Sequence, residues 1–249
     1  MKLLYFLAAI GGPNLEKKLK ILTRNLIHTH HTTKQPFSIV INCYDNPNEV
    51  SELIKSFTFL DNVYFHYRPN SVLSELWFTS PHKDVYVEYD EILFMLDDVA
   101  ISKLHIPSLI EIRDKYDIDI ISPAILGATW SYMLPKNHKI LAITNRLEVY
   151  CMIMSAKNFQ RYLDVNTFEN KWIWGVDHMF GYFGINTALY YGMVAYHTIP
   201  AAHGRSEEAE LLMENYLRKN GFSSLKDVQK QYPLIKSVVS LSQKHGVNR

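Results

Sequence analysis

The chain of 249 residues has little glycine: it contains ten, roughly half of the usual share. No glycine occurs between Pro13 and Leu126, and the sequence has neither a GxGxxG nor a GxxxxGK motif. Such glycine-rich loops hold the phosphates in Rossmann dinucleotide-binding proteins and in P-loop NTPases, so both classes are excluded. If this protein binds phosphates, it does so without a glycine-rich loop.

Cysteine is also scarce, and neither sign of charge is in excess. Cys43 and Cys151 are too few for a disulfide scaffold or an all-cysteine zinc site. The net charge is +1, from 26 Lys and Arg against 25 Asp and Glu, which counts against nucleic acid as the main partner. Both cysteines fall in predicted strands and suit a reducing compartment. We therefore expect a cytoplasmic protein, with the lumen of the secretory pathway as the alternative.

Long apolar runs are missing too. No apolar stretch reaches 18 residues, so no transmembrane helix is expected. The run from Leu3 to Ile10, which ends at a Gly-Gly-Pro turn, has two interpretations. It is a buried first strand or the apolar part of a signal sequence, and its length and the turn favour the strand.

What the sequence does have is an alternation of short β-rich runs and helical segments. Strands are predicted at residues 2–10, 37–43 and 91–96, and helices at 15–28 and 107–115. Repeated βα units of this kind predict an α/β fold in which helices flank a mostly parallel central sheet.

The second half of the chain has a different pattern. Residues 126–145 read as loop-rich, and a strand is predicted at 189–197. Ser206 is a helix N-cap followed by an acidic first turn. We expect one main domain over residues 1–205, with C-terminal helices over 206–249 packed on it.

Two carboxylates, Asp97 and Asp98, directly follow the apolar run EILFML. In open α/β sheets, ligands bind beyond the carboxyl ends of the strands. Paired carboxylates there suit Mg²⁺ or Mn²⁺, and such an ion usually shares its remaining positions with substrate phosphates. A pair of solvated loop acids, or a helix N-cap, explains the same residues without a metal.

The segment from Trp174 to Asp177, WGVD, places an acid after an aromatic-glycine turn. Aromatic walls exclude water and tune a carboxylate as a general base. The structural alternative is an N-cap aspartate below packed tryptophans.

Two histidines, His197 and His203, stand in AYHTIPAAHGR. A histidine just past a strand end can complete a site that carboxylates begin, and Arg205 could pair with a phosphate. A single histidine is nevertheless more often a structural residue.

The order of these features resembles that in the GT-A glycosyltransferases: an acidic pair after a strand, then an acid in a Trp-Gly turn, then a downstream histidine. The pair is similar to their Asp-x-Asp motif, and WGVD is similar to the Trp-Gly-Gly-Glu-Asp motif of galactosyltransferases. The chain more closely resembles a glycosyltransferase-like family known as domain of unknown function 707. The similar segments are YDEILFMLDDVAI (89–101), DIDIISPAI (117–125), WGVDHMFGYFG (174–184) and AYHTIP (195–200).

This resemblance implies a hexosyl- or pentosyltransferase that uses a UDP- or GDP-sugar, Mn²⁺ or Mg²⁺, and a glycan or glycoprotein acceptor. It implies that Asp98 and His197, or alternatively His203, hold the metal. It implies that Asp177 is the catalytic base of an inverting reaction; in the alternative, a retaining reaction, Asp177 would have another role. Asp97 would contact the donor ribose or a metal-bound water.

Other donor contacts implied by the resemblance are Ala9 and Gly11, near the end of the first strand, and Arg68 and Trp174. Of these, Arg68 is a weaker candidate, as is Lys83. Trp130, Trp172 and Trp174 are candidates for stacking on sugar rings.

One departure from the family motif keeps other functions open. Leu96 stands where the family motif has its first acid. Because an acid of the motif is lost, the alternative is an inactive GT-A-like domain that binds a glycan or scaffolds a partner. A metal-dependent phosphohydrolase using Asp97 and Asp98 is a second rival, although such sites usually gather more ligands.

Overall fold

The computed structural model describes residues 1–199 and 206–241. Within these ranges ten strands form one sheet. They are β1 (Leu3–Ile10), β2 (Phe37–Cys43), β3 (Leu60–Tyr67), β4 (Glu91–Met95), β5 (Val99–Ala100), β6 (Ile120–Leu126), β7 (Ile140–Thr144), β8 (Cys151–Ser155), β9 (Thr187–His197) and β10 (Ile235–Ser240). Helices connect them. They are α1 (Leu15–Thr33), α2 (Pro47–Lys55), α3 (Leu73–Thr79), α4 (Ile106–Lys115), α5 (Ala156–Val165), α6 (Glu207–Lys219) and α7 (Leu225–Gln231).

The strand order is β10-β7-β9-β6-β8-β4-β1-β2-β3, and β5 pairs with β9 beside this path. Strands β1 to β4 are all parallel, as their βα connections require. Strand β8 then runs antiparallel to β4, and β6 and β9 form a further parallel pair. The carboxyl ends of β1, β2, β3 and β4 therefore lie along one edge of the sheet.

The first apolar run is the centre of this sheet, which confirms the strand interpretation. Strand β1 lies between β2 and β4, and its side chains alternate between two helical layers. Tyr5 faces Asn25 of α1, while Phe6 packs against Trp77 of α3 and Phe159 of α5. Helices thus cover both faces, and the predicted α/β class with a helix-flanked central sheet is confirmed.

Two strands differ from the sequence-based expectation. Residues 140–144, predicted as loop, form β7 between β9 and β10. Residues 235–240, predicted as helix, form β10, which pairs antiparallel with β7. Pro233 lies just before β10 and does not favour continuation of α7. The pairing with β7 satisfies the backbone groups of that strand, so tertiary contacts outweigh the local helical pattern.

The helices α6 and α7 confirm the helical prediction for residues 207–219 and 225–231. Residues 242–249, the end of the predicted C-terminal helical segment, lie outside the described residues. No helix within the described ranges is long and apolar enough to cross a membrane.

Candidate active site

The acidic pair lies where the sequence predicts it, at the carboxyl edge of the parallel strands. Strand β4 ends at Met95, and Asp97 and Asp98 follow in the turn that leads to β5. Strand β5 pairs with the end of β9, which places Val99 opposite His197. The backbone carbonyl of Asp98 also accepts a hydrogen bond from the Thr198 amide at 2.9 Å. This short antiparallel pairing brings the predicted metal ligands together.

Asp97 is held by a lysine that sequence reasoning missed. The Lys18 ammonium of α1 lies 2.9 Å from Asp97 Oδ2 and also donates to the Gly11 carbonyl at 2.8 Å. Burial raises the pKa of Asp97 to about 6, although the Lys18 charge acts in the opposite direction. This ion pair ties α1, the end of β1 and the acidic turn into one unit.

Asp98 and His197 form the second contact of this turn. His197 Nε2 lies 3.0 Å from Asp98 Oδ2, and His197 Nδ1 lies 3.0 Å from the Gly127 carbonyl oxygen. A carbonyl only accepts, so Nδ1 carries a hydrogen and Nε2 faces the carboxylate. The hydrogen bond with Asp98 raises the pKa of His197, so this contact favours the protonated imidazole.

The residues present fit a divalent cation. Asp98 Oδ1 is buried and has no hydrogen-bond partner. Carboxylate oxygen and imidazole nitrogen are ligands that Mn²⁺ accepts, and an Nδ1 hydrogen on a backbone carbonyl is the usual support for a ligating histidine. The described residues contain no group of three or more His, Cys, Asp or Glu side chains that could hold a metal by themselves. His203, the alternative ligand, and Arg205 lie outside the described residues.

Asp177 lies in the predicted Trp-Gly turn. Gly175 has a φ of +83°, and a Cβ there would lie 2.8 Å from Met213 Cγ of α6, so both the backbone and the space require glycine. The carbonyl of Asp177 accepts a hydrogen bond from the Leu147 amide at 3.3 Å. His178 Nε2 lies 3.5 Å from Asp177 Oδ2.

The sequence analysis missed three residues that are linked to the Asp177 turn. The charge of Asp177 acts on Tyr132 and Glu148, and Arg146 Nη1 lies 3.3 Å from His178 Nδ1. Burial, and next the negative charge of Asp177, raise the pKa of Glu148 to about 8. Burial raises the pKa of Tyr132 strongly, with Asp177 and Glu148 adding to the effect. Glu148 Oε2 and Arg146 Nε are buried without partners.

Glu148 is coupled electrostatically to both predicted centres, because the charges of Asp177 and His197 both act on its pKa. The only local signal for it was the pair of charges in NRLEV, just before an apolar strand. Such a pair is common on surfaces, so the sequence offered no reason to select it.

The tryptophans occupy different positions. Trp130 is 45% exposed and packs edge-on against His178, with ring centroids 6.0 Å apart. Trp174 is 37% exposed, and its carbonyl accepts a hydrogen bond from Asn170. The buried Trp172 Nε1 has no hydrogen-bond partner. Trp130 and Trp174 therefore present aromatic surface, and Trp130 does so next to the Asp177 turn.

The remaining predicted donor contacts lie at the same edge, with one exception. Ala9 and Gly11 are at the end of β1, and Arg68 follows β3 and donates its amide to the Cys43 carbonyl at 3.0 Å. Lys83 precedes β4 and lies 3.8 Å from Asp84, beside a cavity between α3 and α5. The structure therefore does not bring Lys83 to this edge.

No family model matches the sequence, and no curated protein matches it. Solved structures do match. GalNAc-T7, solved with UDP, GalNAc and Mn²⁺, has a TM-score of 0.64 and 9% identity over 88% of this chain and 48% of its own. S. aureus TarS in complex with UDP-GlcNAc has a TM-score of 0.57 and 12% identity over 88% of this chain and 66% of its own.

These neighbours are GT-A glycosyltransferases, and the chain has their fold. It spans about half the length of the GalNAc-T7 chain and about two thirds of the TarS chain. Identities this low establish the fold alone. The resemblance to domain of unknown function 707 stays a prediction, because no family model matches.

Proposed function

We propose that the protein is a metal-dependent glycosyltransferase that moves a hexosyl or pentosyl group from a UDP- or GDP-sugar to a hydroxyl of a glycan or glycoprotein. The observation that carries this proposal is the pairing of Asp98 and His197 at 3.0 Å, with Asp98 Oδ1 buried and unpartnered, at the carboxyl edge of a GT-A sheet. Ligands of open α/β proteins bind at this edge.

Asp98 and His197 would hold Mn²⁺ or Mg²⁺. When bound, such an ion neutralises negative charge on the diphosphate leaving group. Lys18 binds both Asp97 and the Gly11 carbonyl, so it fixes the acidic turn beside the end of β1. We assign Asp97, Ala9, Gly11, Arg68 and Trp174 to donor binding.

Asp177 is our proposed base. Its carboxylate would accept the proton of the acceptor hydroxyl while that oxygen attacks the anomeric carbon, and the configuration there would invert. Trp130 packs edge-on against His178, next to this turn. Glu148, with its raised pKa, is protonated at neutral pH and can donate a hydrogen bond to substrate.

The whole chain is proposed to act as one domain, with residues 206–249 packed on residues 1–205. Two described contacts support this: Met213 of α6 lies against Gly175, and Tyr216 of α6 donates to the Val165 carbonyl at 2.8 Å. Cys43 and Cys151 are free and buried, as suits the cytoplasm that we propose as its compartment.

The alternative, an inactive GT-A-like binding domain, has one observation in its favour. Leu96, which stands where the family motif has its first acid, is packed against the apolar core. Its backbone amide donates to the Tyr150 carbonyl at 3.0 Å. The donor ribose would therefore lack one carboxylate contact.

The deciding experiment is calorimetric titration of UDP and GDP into the protein with and without Mn²⁺. UDP is tested first because the GalNAc-T7 structure contains UDP and the TarS structure contains UDP-GlcNAc. We expect one nucleotide to bind more tightly with Mn²⁺. Asp98→Asn should lose about tenfold or more of that gain, because it removes a charged ligand. Asp61→Asn, at an exposed position on β3, is the matched control.

Loss of the Mn²⁺ effect in Asp98→Asn alone supports the metal site. Equal metal dependence in both variants would remove Asp98 from it. Absence of UDP and GDP binding by the folded wild-type protein would overturn the transferase proposal and favour the inactive domain.

A further inference from the structure

The imidazole of His197 is enclosed, although it stands at the last residue of a strand. Only 9% of this side chain is exposed. Nε2 lies 3.0 Å from Asp98 Oδ2, and Nδ1 lies 3.0 Å from the Gly127 carbonyl oxygen. Hydrogen bonds of ring nitrogens run close to the plane of the ring. These two contacts therefore leave the faces of the imidazole without support.

The side chain of Tyr150, the residue immediately before β8, contacts this imidazole with its ring. The two ring centroids lie 4.9 Å apart, and the ring planes are inclined by 44°. At this separation two rings are in van der Waals contact. Tyr150 is 9% exposed, so the contact is buried. It restricts a movement of the imidazole that the in-plane hydrogen bonds leave free.

Tyr150 is itself anchored at both ends. Its backbone carbonyl accepts a hydrogen bond from the Leu96 amide at 3.0 Å. Its hydroxyl oxygen accepts one from the Thr129 amide at 3.3 Å and lies 3.2 Å from Thr129 Oγ1. Leu96 directly precedes the acidic turn, and Thr129 follows Gly127 by two residues. The tyrosine thus joins the two segments that hold the nitrogens of His197.

The direction of a ligating imidazole matters because it binds a metal through one nitrogen lone pair. Groups that orient such a histidine from outside the metal site typically account for about 10- to 100-fold in metal affinity. In this chain the backbone pairing of β9 with β5 fixes the main chain of His197 opposite Val99. The side chain still rotates about its own bonds, so its direction depends on what packs against it.

We propose that Tyr150 is a positioning residue whose ring holds the His197 imidazole in the direction in which Nε2 faces Asp98. It acts through His197 and has no assigned contact with substrate. Its effect on metal affinity rests on the proposed function. Its effect on the orientation of the imidazole does not, because that contact exists without a metal.

Two substitutions separate the ring of Tyr150 from its hydroxyl. Tyr150→Phe keeps the ring and loses the hydroxyl, and Tyr150→Leu loses both. The hydrogen bond with Thr129 and the effect of the hydroxyl on the pKa of Glu148 are absent from both variants. The backbone contact with Leu96 is present in both. The difference between the variants therefore reports on the ring.

Metal affinity is the first readout. Mn²⁺ is titrated into the full chain with UDP present, and the free ion is measured by electron paramagnetic resonance. Tyr150→Phe should bind Mn²⁺ within about threefold of wild type, because it loses one long hydrogen bond. Tyr150→Leu should bind about tenfold more weakly or worse, because the imidazole is no longer held.

The mobility of the His197 ring in metal-free protein is the second readout. NMR relaxation of its ring carbons is measured with EDTA present, and a His197→Asn variant assigns the signals. The ring should be rigid on the picosecond to nanosecond timescale in wild type and Tyr150→Phe, and mobile in Tyr150→Leu. A tyrosine that only stabilises the fold would not produce this local difference.

The matched control is Tyr86, in the turn before β4. It is 3% exposed, its ring packs against Phe159 with centroids 5.1 Å apart, and its hydroxyl binds Gln160. Tyr86→Phe and Tyr86→Leu should leave Mn²⁺ binding and the mobility of the His197 ring unchanged. Urea unfolding confirms that each variant is folded, and Tyr150→Met replaces Tyr150→Leu if the latter is not.

The proposal is overturned if Tyr150→Phe and Tyr150→Leu have the same ring mobility, or if they bind Mn²⁺ equally. It is also overturned if Tyr86→Leu loses as much Mn²⁺ affinity as Tyr150→Leu, because lost packing alone would then explain the effect. If wild type binds no Mn²⁺, the proposed metal site fails, and the relaxation data alone decide whether Tyr150 positions His197.

Discussion

At the scale of single residues, the tautomer of the neutral His178 ring follows from its neighbours. Arg146 Nη1 lies 3.3 Å from His178 Nδ1, and a guanidinium only donates hydrogen bonds. His178 Nδ1 must therefore accept, and the ring hydrogen resides on Nε2, the atom that faces Asp177 at 3.5 Å. Arg146 thus orients the His178 ring so that an N–H faces the Asp177 carboxylate.

Asp177→Asn tests the base. The variant keeps shape and most contacts of the turn, so metal-dependent binding of the nucleotide should persist. Transfer should fall roughly 100-fold or more, the usual scale for a general base. The rate is measured with the donor that calorimetry identifies, and Asp61→Asn serves as control. Full transfer by Asp177→Asn would rule out its role as base.

At the scale of elements, the end of β6 positions His197. Gly127 has a φ of +89°, its carbonyl lies 3.0 Å from His197 Nδ1, and a Cβ there would lie 2.6 Å from the His197 carbonyl oxygen. The close approach of β6 and β9 at this point therefore requires glycine. It also sets the direction in which the imidazole points.

Gly127→Ala should destabilise the fold and weaken metal binding together. Gly221 is a matched control, because its φ is +88° and nothing lies within 4 Å of a Cβ built there. Both substitutions carry the backbone strain, which costs of the order of 1–3 kcal/mol. Only Gly127→Ala adds the clash.

Urea unfolding measures the stability difference between the two alanine variants, and titration with Mn²⁺ and nucleotide measures binding. Gly127→Ala should be the less stable one and should bind metal less tightly. Equal stability and equal metal binding in the two variants would show that the β6 end does not position His197.

At the scale of the whole molecule, stability should depend on pH through buried carboxyls. The pKa of Glu148 is raised from 4.5 to about 8 by burial and by Asp177. Between these values the folded protein holds a proton that the unfolded chain has released. The free energy of unfolding therefore falls as pH rises from about 4.5 to about 8, by about 1.4 kcal/mol per pKa unit at most.

Glu148→Gln should flatten this dependence. Its amide stays neutral, so the variant should be more stable than wild type at pH 8 and lose that advantage near pH 5. Urea unfolding with EDTA across this range measures the difference, and the raised pKa of Asp97 acts equally in both proteins. Glu88→Gln, at an exposed position, is the control. Parallel pH profiles for wild type and Glu148→Gln would contradict the assignment.

Much of the fold could be predicted from local patterns. The apolar runs that became β1 and β4 are buried on both sides, so their composition alone identifies them as central strands. Strands β7 and β10 were missed because each is short and lies toward one edge of the sheet. For such strands the pairing partner decides the conformation, and the partner is distant in sequence.

The sequence by itself determined the α/β class, the acidic turn after β4 and the histidine at the end of β9, because each depends on residues next to one another in the chain. Only the tertiary structure decided that Lys18 holds Asp97 and that His197 contacts Asp98. It also decided that Arg146 contacts His178 and that the charge of Asp177 acts on Glu148. These contacts join segments far apart in the sequence. The physical reason is that the strength of an interaction between two charged groups depends on their distance and their burial. Neither quantity is defined until the sheet has formed.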